Sequence, residues 1–519
     1  MPAAPPLTRT LPRHENQARG LAQYALDFVS GALPSPSAAV LARLEQFHLD
    51  SIACGVSARA LKTQAPCLLS AEAVEERLAD NRRGATCFGS SIPVRLEKAV
   101  AANCAAVREW DSNGTNFGYD PARGHTAGEF GHNDFYPVAM AAAQQAGLDG
   151  RHAVLGMLAI DEIRGRLAEV FSLKTHKIDH VAHGAIASAA VCGAMLGATV
   201  DQIESAIGMF VAHYVPFRAI RAGKQLSDSK GASAALSAEA AVLCVRRAMR
   251  GFVGPADIFR NPEALFCLFE PPAQKGESPF DLTLATGGDD FALMGMHFKL
   301  GLYEHQSAGA IQAVIDLLAA HPGLLDDPNQ LRSLTVMIYQ PAFGIIADPA
   351  KRDPRTRQSA DHSLPYIVAR VLAKAFRTRQ TGWEGLMLMP EDYDDQALGD
   401  PLTRQLIDKI EIRHGGPEYD AKYPDGIPTS LSIDHAGLGR RQSGLVMYPA
   451  GHARNTTANL DYLLAVKFER LARLGVADPV ALRQRFSKLS DKSAAEIAAI
   501  NDFKIAEKSE SFDAKAQRR

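Results

Sequence analysis

The hydrophobic periodicity of the chain changes near residue 293, and this change constrains the fold more than any other feature. Before it, apolar residues recur at helical spacing. From Leu96 to Glu109 they fall every three or four positions, which suits one buried helix face. Two stretches rich in alanine and glycine, 183–199 and 231–244, would let neighbouring helices approach closely. Residues 1–292 are therefore predicted to form an all-helical domain with a tightly packed core.

After that point the pattern becomes mixed. A helix is predicted over 307–320, and the period-two alternation that follows predicts a strand over 334–338. Further strands are predicted at 409–413, 429–434 and 443–448, the last two joined by a glycine-containing turn, and a further helix at 459–474. Together these patterns predict a mainly α protein with a second, α+β domain.

The predicted domain boundaries follow from these patterns. The all-helical domain covers 1–292, a smaller α+β lid domain covers 293–455, and 456–519 supplies a C-terminal helix and a polar tail. The C-terminal helix is expected to pack back on the helical domain. The polar end, from Lys504 to Arg519, is expected to fray.

Composition argues against several functional classes. Among 519 residues the formal net charge is −2, so no basic excess favours nucleic acid as a partner. No segment approaches the roughly 18 consecutive apolar residues of a membrane span, and 1–16 lacks the apolar core of a secretory signal. Seven scattered cysteines without a C-x-x-C pair fit a reducing compartment and argue against an iron–sulfur cluster. A cytoplasmic enzyme is predicted, without a nucleotide-binding or serine-hydrolase motif.

A glycine-rich segment that follows the helix predicted from Leu96 is dense in polar side chains. Such loops often carry binding residues, although a solvated loop with local Asx turns has the same composition. The sequence leaves both interpretations open. The candidate residues are Asp111, Asn113, Thr115, His125, Glu129, His132 and Asp134.

A group of histidines allows a metal site as an alternative. His176, His180 and His183 fall at i, i+4 and i+7, so one helix face would present three imidazoles, as zinc prefers. No H-E-x-x-H motif accompanies them, and helix capping with a core-facing imidazole explains the same spacing. A zinc hydrolase is therefore kept as an alternative hypothesis.

Basic side chains in two segments are candidates for the site, and those of the first segment could line a pocket for an anion. Guanidinium groups bind carboxylates well, although an exposed basic face explains the first segment equally well. In the second segment, Lys299 lies between apolar neighbours at the predicted domain boundary, where desolvation would lower its pKa and let it act as a base. A surface lysine is the plainer interpretation. The first segment contributes Arg218, Arg221, Lys224 and Lys230 within thirteen residues.

These segments resemble the MmgE/PrpD family, and within it the 2-methylcitrate dehydratase branch, over nearly the whole chain. Glu129–His132 is similar to the family's E-W-G-H, and Tyr448–Arg454 to its Y-P-x-G-H-A-R. The other resembling segments are Leu49–Gly55, Arg108–Thr115, Ile178–Val181, Arg218–Arg221 with Ser229–Lys230, Phe298–Lys299 and Tyr423–Asp425. Because these segments occur in the family's order, the chain is identified as a member of the family.

The resemblance implies a helical domain and a smaller α+β lid with the site between them, no metal or other cofactor, and a homodimer. The residues that it implies for catalysis are Asp111, Thr115, His132, Lys230 and Lys299. It also implies a small polycarboxylate as substrate. The residues expected to bind that substrate are Arg218, Arg221, His180 and His305.

The expected activity is that of a metal-independent hydro-lyase. It would dehydrate 2-methylcitrate, or a related citrate-like polycarboxylate, to the cis-aconitate-type alkene. Removal of a proton next to a carboxylate requires fixed positive charge, which lysine and arginine can supply. His132 and Lys299 are expected to be the proton-transfer pair, with the direction unassigned. The alternatives are a decarboxylase or epimerase on the same fold, and a non-catalytic polycarboxylate-binding protein.

The sequence departs from the family pattern at the predicted pocket. Two carboxylates of the family's D-F-D-D-T segment are replaced by Asn113 and Gly114. About ten extra residues, 117–127, separate Thr115 from His132, and the family's H-P-S-D is altered after the histidine. These changes leave the exact substrate open.

Overall fold

The computed structural model describes residues 7–79, 82–128, 133–221 and 226–508, together with Phe512. Its α-helices are α1 Gln17–Val29, α2 Ala38–Ala60, α3 Gln64–Glu75, α4 Leu96–Arg108, α5 Tyr136–Ala146, α6 Gly150–Val170, α7 Val181–Met195, α8 Val200–His213, α9 Asp228–Gly231, α10 Ser233–Ala248, α11 Leu265–Phe269, α12 Ala308–Ala320, α13 Gln340–Ile346, α14 Arg357–Ala360, α15 Leu364–Thr378, α16 Trp383–Leu386, α17 Asp395–Leu398, α18 Pro401–Lys409, α19 Pro417–Asp420, α20 Leu460–Ala472, α21 Pro479–Phe486 and α22 Ala494–Ala498. Its strands are β1 Thr8–Leu11, β2 Leu282–Ala285, β3 Leu331–Ile338, β4 Ile410–His414, β5 Thr429–His435 and β6 Gly439–Val446.

The predicted mainly α architecture with a smaller α+β part is confirmed. The predicted lid arrangement and the exact domain boundaries stay predictions. Among the described helices, none combines the length and the apolar character needed to cross a membrane.

Helices α7 and α10 form the centre of the helical part. α10 packs against α4, α7 and α8, and α7 also packs against α6. Nearly every residue of α7 is buried, because its sequence is dominated by alanine and glycine instead of carrying one apolar stripe. At Gly184 a Cβ would lie 2.5 Å from a ring carbon of Phe135, so a larger residue would force the two elements apart. Small side chains thus determine how closely these helices approach.

Four strands form a mixed sheet in the order β4-β3-β5-β6. β3 is parallel to β4 and antiparallel to β5, and β5 is antiparallel to β6. Buried and partly exposed positions alternate along β3 from Leu334 to Ile338, as the period-two pattern predicted. β6 begins at Gly439, earlier than the predicted residue 443, because its polar start lies at an exposed sheet edge where apolar side chains are not required. Helix α12 packs against β5 and β6.

The prediction that residues 1–292 are entirely helical is wrong. β1 pairs antiparallel with β2, with Thr8 opposite Ala285 and Leu11 opposite Leu282. Each strand has only four residues, too few to give a periodic signal, and the partner strand lies far away in the sequence.

The prediction that the chain frays after Lys504 is also wrong for the part that the structure describes. The Lys508 amide donates a hydrogen bond to the Ala60 carbonyl at the end of α2. The ring of Phe512 lies edge-on against Trp110, with 5.5 Å between the ring centroids. Earlier in this region, α20 packs on α2. The C-terminal region is therefore attached to the helical part.

His48 is a buried, neutral histidine of α2. Neither of its ring nitrogens has a hydrogen-bond partner among the described residues. Burial lowers its pKa to about 4, whereas in an unfolded chain the pKa stays near 6.5. Between these values the unfolded state binds more protons than the folded state. The free energy of unfolding therefore decreases as the pH falls from about 6.5 towards 4.

We compare the change in the free energy of unfolding that His48→Leu causes at two pH values. We expect this change to be more favourable by about 1 kcal/mol at about pH 5.5 than at about pH 8. The reason is that leucine fills a similar volume and binds no proton in the unfolded chain. Urea denaturation at the two pH values measures the difference. His14→Leu, at an exposed position, is the control and should behave like the wild type. Equal pH dependence of His48→Leu and the wild type would contradict this account.

Candidate active site

One cavity of about 300 Å³ contains most of the predicted site residues. Seven of the nine lie in its wall, namely Asp111, Thr115, His180, Arg218, Lys230, Lys299 and His305. Arg221 belongs to the same short turn as Arg218. His132 lies outside the described residues. The fold therefore brings candidate residues from both halves of the chain to one place.

The Asp111 carboxylate is the centre of the polar network in this cavity. Asp111 follows α4 with a φ of 50°, a left-handed conformation that Asp and Asn tolerate better than most residues. Its Oδ1 lies 2.7 Å from Lys299 Nζ, and its Oδ2 lies 2.9 Å from Lys230 Nζ. Arg108 bonds to Oδ1, and His362 Nε2 lies 3.1 Å from Oδ2. One buried carboxylate thus contacts four basic groups.

The two partners Asp111 and Lys299 respond differently to their surroundings. Burial alone would raise the pKa of the Asp111 carboxyl, but the adjacent Arg108, Lys230 and Lys299 cations hold it well below its usual range. Burial lowers the pKa of the Lys299 ammonium even though Asp111 opposes this. Asp111 therefore stays ionised, and Lys299 releases its proton more readily than a lysine in water does.

Thr115 and His305 present polar atoms to the cavity. The Thr115 hydroxyl and both ring nitrogens of His305 are buried and have no hydrogen-bond partner in the part of the chain that the structure describes. Thr115 is held in place because its backbone exchanges two hydrogen bonds of 2.8 Å with His297. Burial lowers the pKa of His305 well below its usual value, so the ring is neutral. Both side chains are available to a polar ligand, since buried polar groups normally have partners.

Lys467 of α20 connects the backbone next to Asp111 with the backbone of Lys299. It is completely buried, and its Nζ donates to the carbonyl oxygens of Ser112 at 2.6 Å and of Lys299 at 2.8 Å. The same Nζ lies 2.7 Å from Asp50 Oδ1 of α2. Because Ser112 follows Asp111 directly, Lys467 fixes the backbone at both partners of the central ion pair.

The three histidines of the zinc hypothesis do not share a helix face. α7 begins at Val181, so His176 precedes the helix, and its Nε2 lies 2.8 Å from Glu270 Oε1. His180 lines the cavity from the position just before the helix. His183 is buried in the helix, where burial lowers its pKa to about 3. The prediction that the three imidazoles share one helix face is wrong, because α7 begins only after His176 and His180.

Several residues that line the cavity were not predicted from the sequence. Arg108 lies in a segment that resembles the family, but its charge was not assigned a role. The others come mainly from the segment between β3 and α15, where neither a motif nor a hydrophobic period marks a site. The one available signal was the polar pair Asp361-His362 directly before the amphipathic helix α15. The residues missed are Arg108, Leu226, Glu304, Gly344, Ile345, Asp348, Lys351 and His362.

The extra residues 117–127 line a second cavity of about 220 Å³. Within them, His125 lies 2.9 Å from Glu169 Oε1 and 2.9 Å from Asp290 Oδ1. None of these extra residues appears in the described wall of the first cavity. The insertion therefore shapes a neighbouring space. Between the two cavities lie the stacked rings of His305, His297 and His452.

Two departures from the family pattern have a local cause in the packing. At Gly114 a Cβ would lie 2.4 Å from the ring of Phe47, so a carboxylate side chain does not fit there. Asn133 Nδ2 donates to the Phe47 carbonyl and to Ser51 Oγ, both at 2.6 Å. Asn133 thus fixes the short turn 133–135 to α2, and it is not part of the described wall of the cavity around Asp111.

Known proteins resemble this chain over most of its length. Residues 19–276 match the MmgE/PrpD N-terminal domain, and residues 303–491 match the MmgE/PrpD C-terminal domain. The chain is 25% identical over 469 residues to the 2-methylcitrate dehydratase of Salmonella typhimurium, covering 88% of this chain and 90% of that protein. It is 24% identical over 369 residues to that of Escherichia coli strain K12, with 70% and 71% covered. It is 24% identical over 395 residues to the mitochondrial 2-methylcitrate dehydratase of Yarrowia lipolytica, with 69% and 72% covered. With both domains matched in order, the chain belongs to the MmgE/PrpD family.

Proposed function

We propose that this protein is a hydro-lyase that removes water from 2-methylcitrate or a related citrate-like polycarboxylate. The relatives that are named 2-methylcitrate dehydratase support a lyase of this kind. The observation that carries the proposal is the concentration of basic side chains around Asp111, in a cavity whose size suits a small molecule.

The charge of the cavity favours a polycarboxylate. Five basic side chains line it, against three acidic ones. Burial raises the pKa of Glu304, which favours its neutral form and increases the positive excess. A substrate with several carboxylates would balance this charge, and arginine binds a carboxylate with two parallel hydrogen bonds. The basic residues are Arg108, Arg218, Lys230, Lys299 and Lys351, and the acidic ones are Asp111, Glu304 and Asp348.

Dehydration of a β-hydroxy acid requires a base for the carbon-bound proton, an acid for the leaving hydroxyl, and positive charge for the carboxylates. Lys299 and His132 are the proposed proton-transfer pair, and the lowered pKa of Lys299 suits a base. Thr115 would bind the substrate through its hydroxyl. Lys230 would hold a substrate carboxylate, and Asp111 would keep the basic groups in position.

We propose further that the reaction needs no metal ion. Among the described residues, Asp111, Asp361 and His362 are the group whose ligand atoms lie close enough together to hold a cation. The Asp111 carboxylate already faces Lys299 at 2.7 Å and Lys230 at 2.9 Å. A divalent cation bound there would be repelled by both ammonium groups at short range. These residues therefore fit an ion-pair network better than a metal site.

The direct test is turnover of 2-methylcitrate, citrate and cis-aconitate by protein treated with a chelator. Ultraviolet absorbance of the conjugated alkene and release of CO2 are followed together. A rise in absorbance without CO2, unchanged by the chelator, is the expected result. Release of CO2 would support the decarboxylase alternative, and tight binding without turnover would support a polycarboxylate-binding protein. Loss of activity that zinc or another divalent ion restores would contradict metal independence.

We expect Lys299→Ala to lower kcat by at least about 10²-fold, because the variant loses both a proton-transfer group and a cation of the cavity. His132→Asn should cause a loss of similar size if the two residues form a pair. Steady-state kinetics on the preferred substrate measure both. Near-wild-type turnover of these variants would show that the assignment is wrong.

Lys374→Ala is a matched control for Lys299→Ala. Lys374 Nζ donates to the Met387 carbonyl at 2.6 Å and to Asp392 Oδ2 at 2.7 Å. Lys299 Nζ likewise donates to the Asp111 carbonyl and to Asp111 Oδ1, both at 2.7 Å. It lies outside the described wall of the cavity. Its loss should lower the thermal stability and leave kcat close to that of the wild type.

The family resemblance also leads us to propose that the protein acts as a homodimer. Sedimentation velocity of the purified chain tests this directly. A monomer that turns over substrate at full rate would contradict it.

A further inference from the structure

We propose that His362 is the general acid that protonates the leaving hydroxyl, and that Asp361 is the positioning residue that orients it. This inference rests on the proposed dehydration and refines it, because His362 then takes the acid role and the pair of His132 and Lys299 serves only the removal of the carbon-bound proton. His362 lies between α14 and α15 and lines the cavity, and its side chain is 13% exposed. It thus faces the substrate space while most of its surface is packed against protein.

The two ring nitrogens of His362 each face a carboxylate. Nε2 lies 3.1 Å from Asp111 Oδ2, and Nδ1 bonds to Asp361 Oδ1. A carboxylate that has lost its proton can only accept a hydrogen bond. In the acid form that we propose, both nitrogens carry hydrogen, and each N–H has a carboxylate oxygen as its acceptor. Nε2 lies on the cavity side of the ring, so a leaving hydroxyl that displaces Asp111 Oδ2 as its acceptor would receive the proton.

Asp361 is itself held by a second ion pair. Its Oδ2 lies 3.4 Å from Arg357 Nη1, and Arg357 also bonds to the Glu109 carboxylate. Arg357 further lies over the ring of Trp110, at 5.1 Å. These contacts fix Asp361, and through it the orientation of the His362 ring, independently of any substrate.

The other groups that face His362 agree with this role. Asp111 is held ionised by three cations and has no proton to give. Glu304 adds a further carboxyl group close enough to interact with His362. His305, the nearby cavity imidazole, is kept neutral by burial. The basic neighbours Lys230 and Lys299 point at Asp111 and share it with His362. Of the groups named here, His362 is the imidazole whose two ring nitrogens each face a carboxylate.

The proton balance of the step is complete without a further reactant. A base takes the proton from the carbon next to a carboxylate, and the electron pair of that C–H bond forms the C=C bond. The C–O bond breaks, and the oxygen leaves with its electron pair. His362 Nε2 gives its proton to this oxygen, so that water is released and the imidazole becomes neutral. His362 regains a proton from the protonated base or from solvent before the next turnover.

A substrate analogue separates this role from a structural one. Replacing the leaving hydroxyl of 2-methylcitrate with fluorine gives a leaving group that departs as fluoride and needs no proton. We expect His362→Gln to lower kcat on the hydroxy acid by about 10²-fold or more, and on the fluoro analogue by much less. Asp361→Asn should show the same selectivity with a smaller loss. Equal losses on both compounds would overturn the proposal, because a misfolded site or a weakened carboxylate contact affects both alike.

His414→Gln is the matched control. His414 Nε2 lies 3.0 Å from Asp420, so it is also a carboxylate-paired histidine, but it is outside the described wall of the cavity. Both compounds should react at wild-type rates in this variant. A loss on the hydroxy acid alone in His414→Gln would overturn the proposal by showing that the selectivity is not specific to His362.

The protonation of His362 can be tested without turnover. In protein labelled with 15N at histidine, the signals missing from His362→Gln assign the ring of His362. We expect the pattern of an imidazolium at neutral pH, and a neutral ring would overturn the proposal. If the wild type turns over no polycarboxylate while this ring is an imidazolium, the proposed function fails although the inferred protonation of His362 is correct. The two failures are therefore distinguishable.

Discussion

Replacing Asp111 with Asn is expected to lower kcat/KM by at least about 10³-fold, the largest catalytic effect that we predict for a single substitution. Asn keeps the shape of the side chain and tolerates the positive φ of 50° at this position. What is lost is the negative charge that Arg108, Lys230 and Lys299 share. Without it the basic groups repel one another and are no longer held for the substrate.

Steady-state kinetics and thermal unfolding of Asp111→Asn test this expectation together. The control is Asp257→Asn, since Asp257 also has a positive φ, of 51°, and accepts a hydrogen bond of 2.7 Å from Arg260 Nε. Asp257 lies outside the described wall of the cavity, so its variant should keep kcat/KM close to the wild-type value. If Asp111→Asn stays within tenfold of the wild type, the carboxylate is not the centre of the site.

Lys467→Met is expected to lower the free energy of unfolding by about 3–5 kcal/mol, because it leaves Asp50 as a buried and unpaired carboxylate. It also removes the donor to the Ser112 and Lys299 carbonyls. Burial raises the pKa of Asp50, which Lys467 opposes in the wild type. In the variant Asp50 can avoid the penalty by taking up a proton. The stability loss should therefore be smaller at acidic pH than at neutral pH.

Urea denaturation of Lys467→Met at two pH values measures both parts of this prediction. Lys98→Met is the control, because Lys98 forms a partly exposed ion pair of 2.9 Å with Glu239. Such a pair contributes about 1 kcal/mol or less. A loss in Lys467→Met no larger than that in Lys98→Met would mean that the buried contact does not stabilise the fold.

Local patterns predicted the regular elements well. The helix expected from Leu96 and the alternation that predicted β3 are both found, since each depends on residues adjacent in sequence. β1 and β2 were missed because their pairing joins residues 8–11 to 282–285, and such a pairing has no local signal. The start of β6 was placed too late because an edge strand can be polar along its length.

The cavity was predicted in part for a different reason. Asp111, Lys230 and Lys299 lie in segments that resemble the family, so the resemblance identified them although nothing in the sequence shows that they meet. His362 has no such mark, and its part in the network depends on how α14 and α15 are placed relative to α4. The extra residues 117–127 were expected to alter the predicted pocket, whereas in the structure they line the second cavity.

The contact between Lys467 and the Ser112 carbonyl joins residues 355 positions apart, and this affects how the protein is made. At about 5–20 residues per second, a ribosome needs roughly 20 to 70 seconds to synthesise that intervening stretch. Throughout this time the Ser112 carbonyl of the nascent helical part lacks its hydrogen-bond donor, the Lys467 ammonium group. We therefore expect the emerging chain to associate with holding chaperones, and polypeptides released before α20 to be degraded without ever gaining activity.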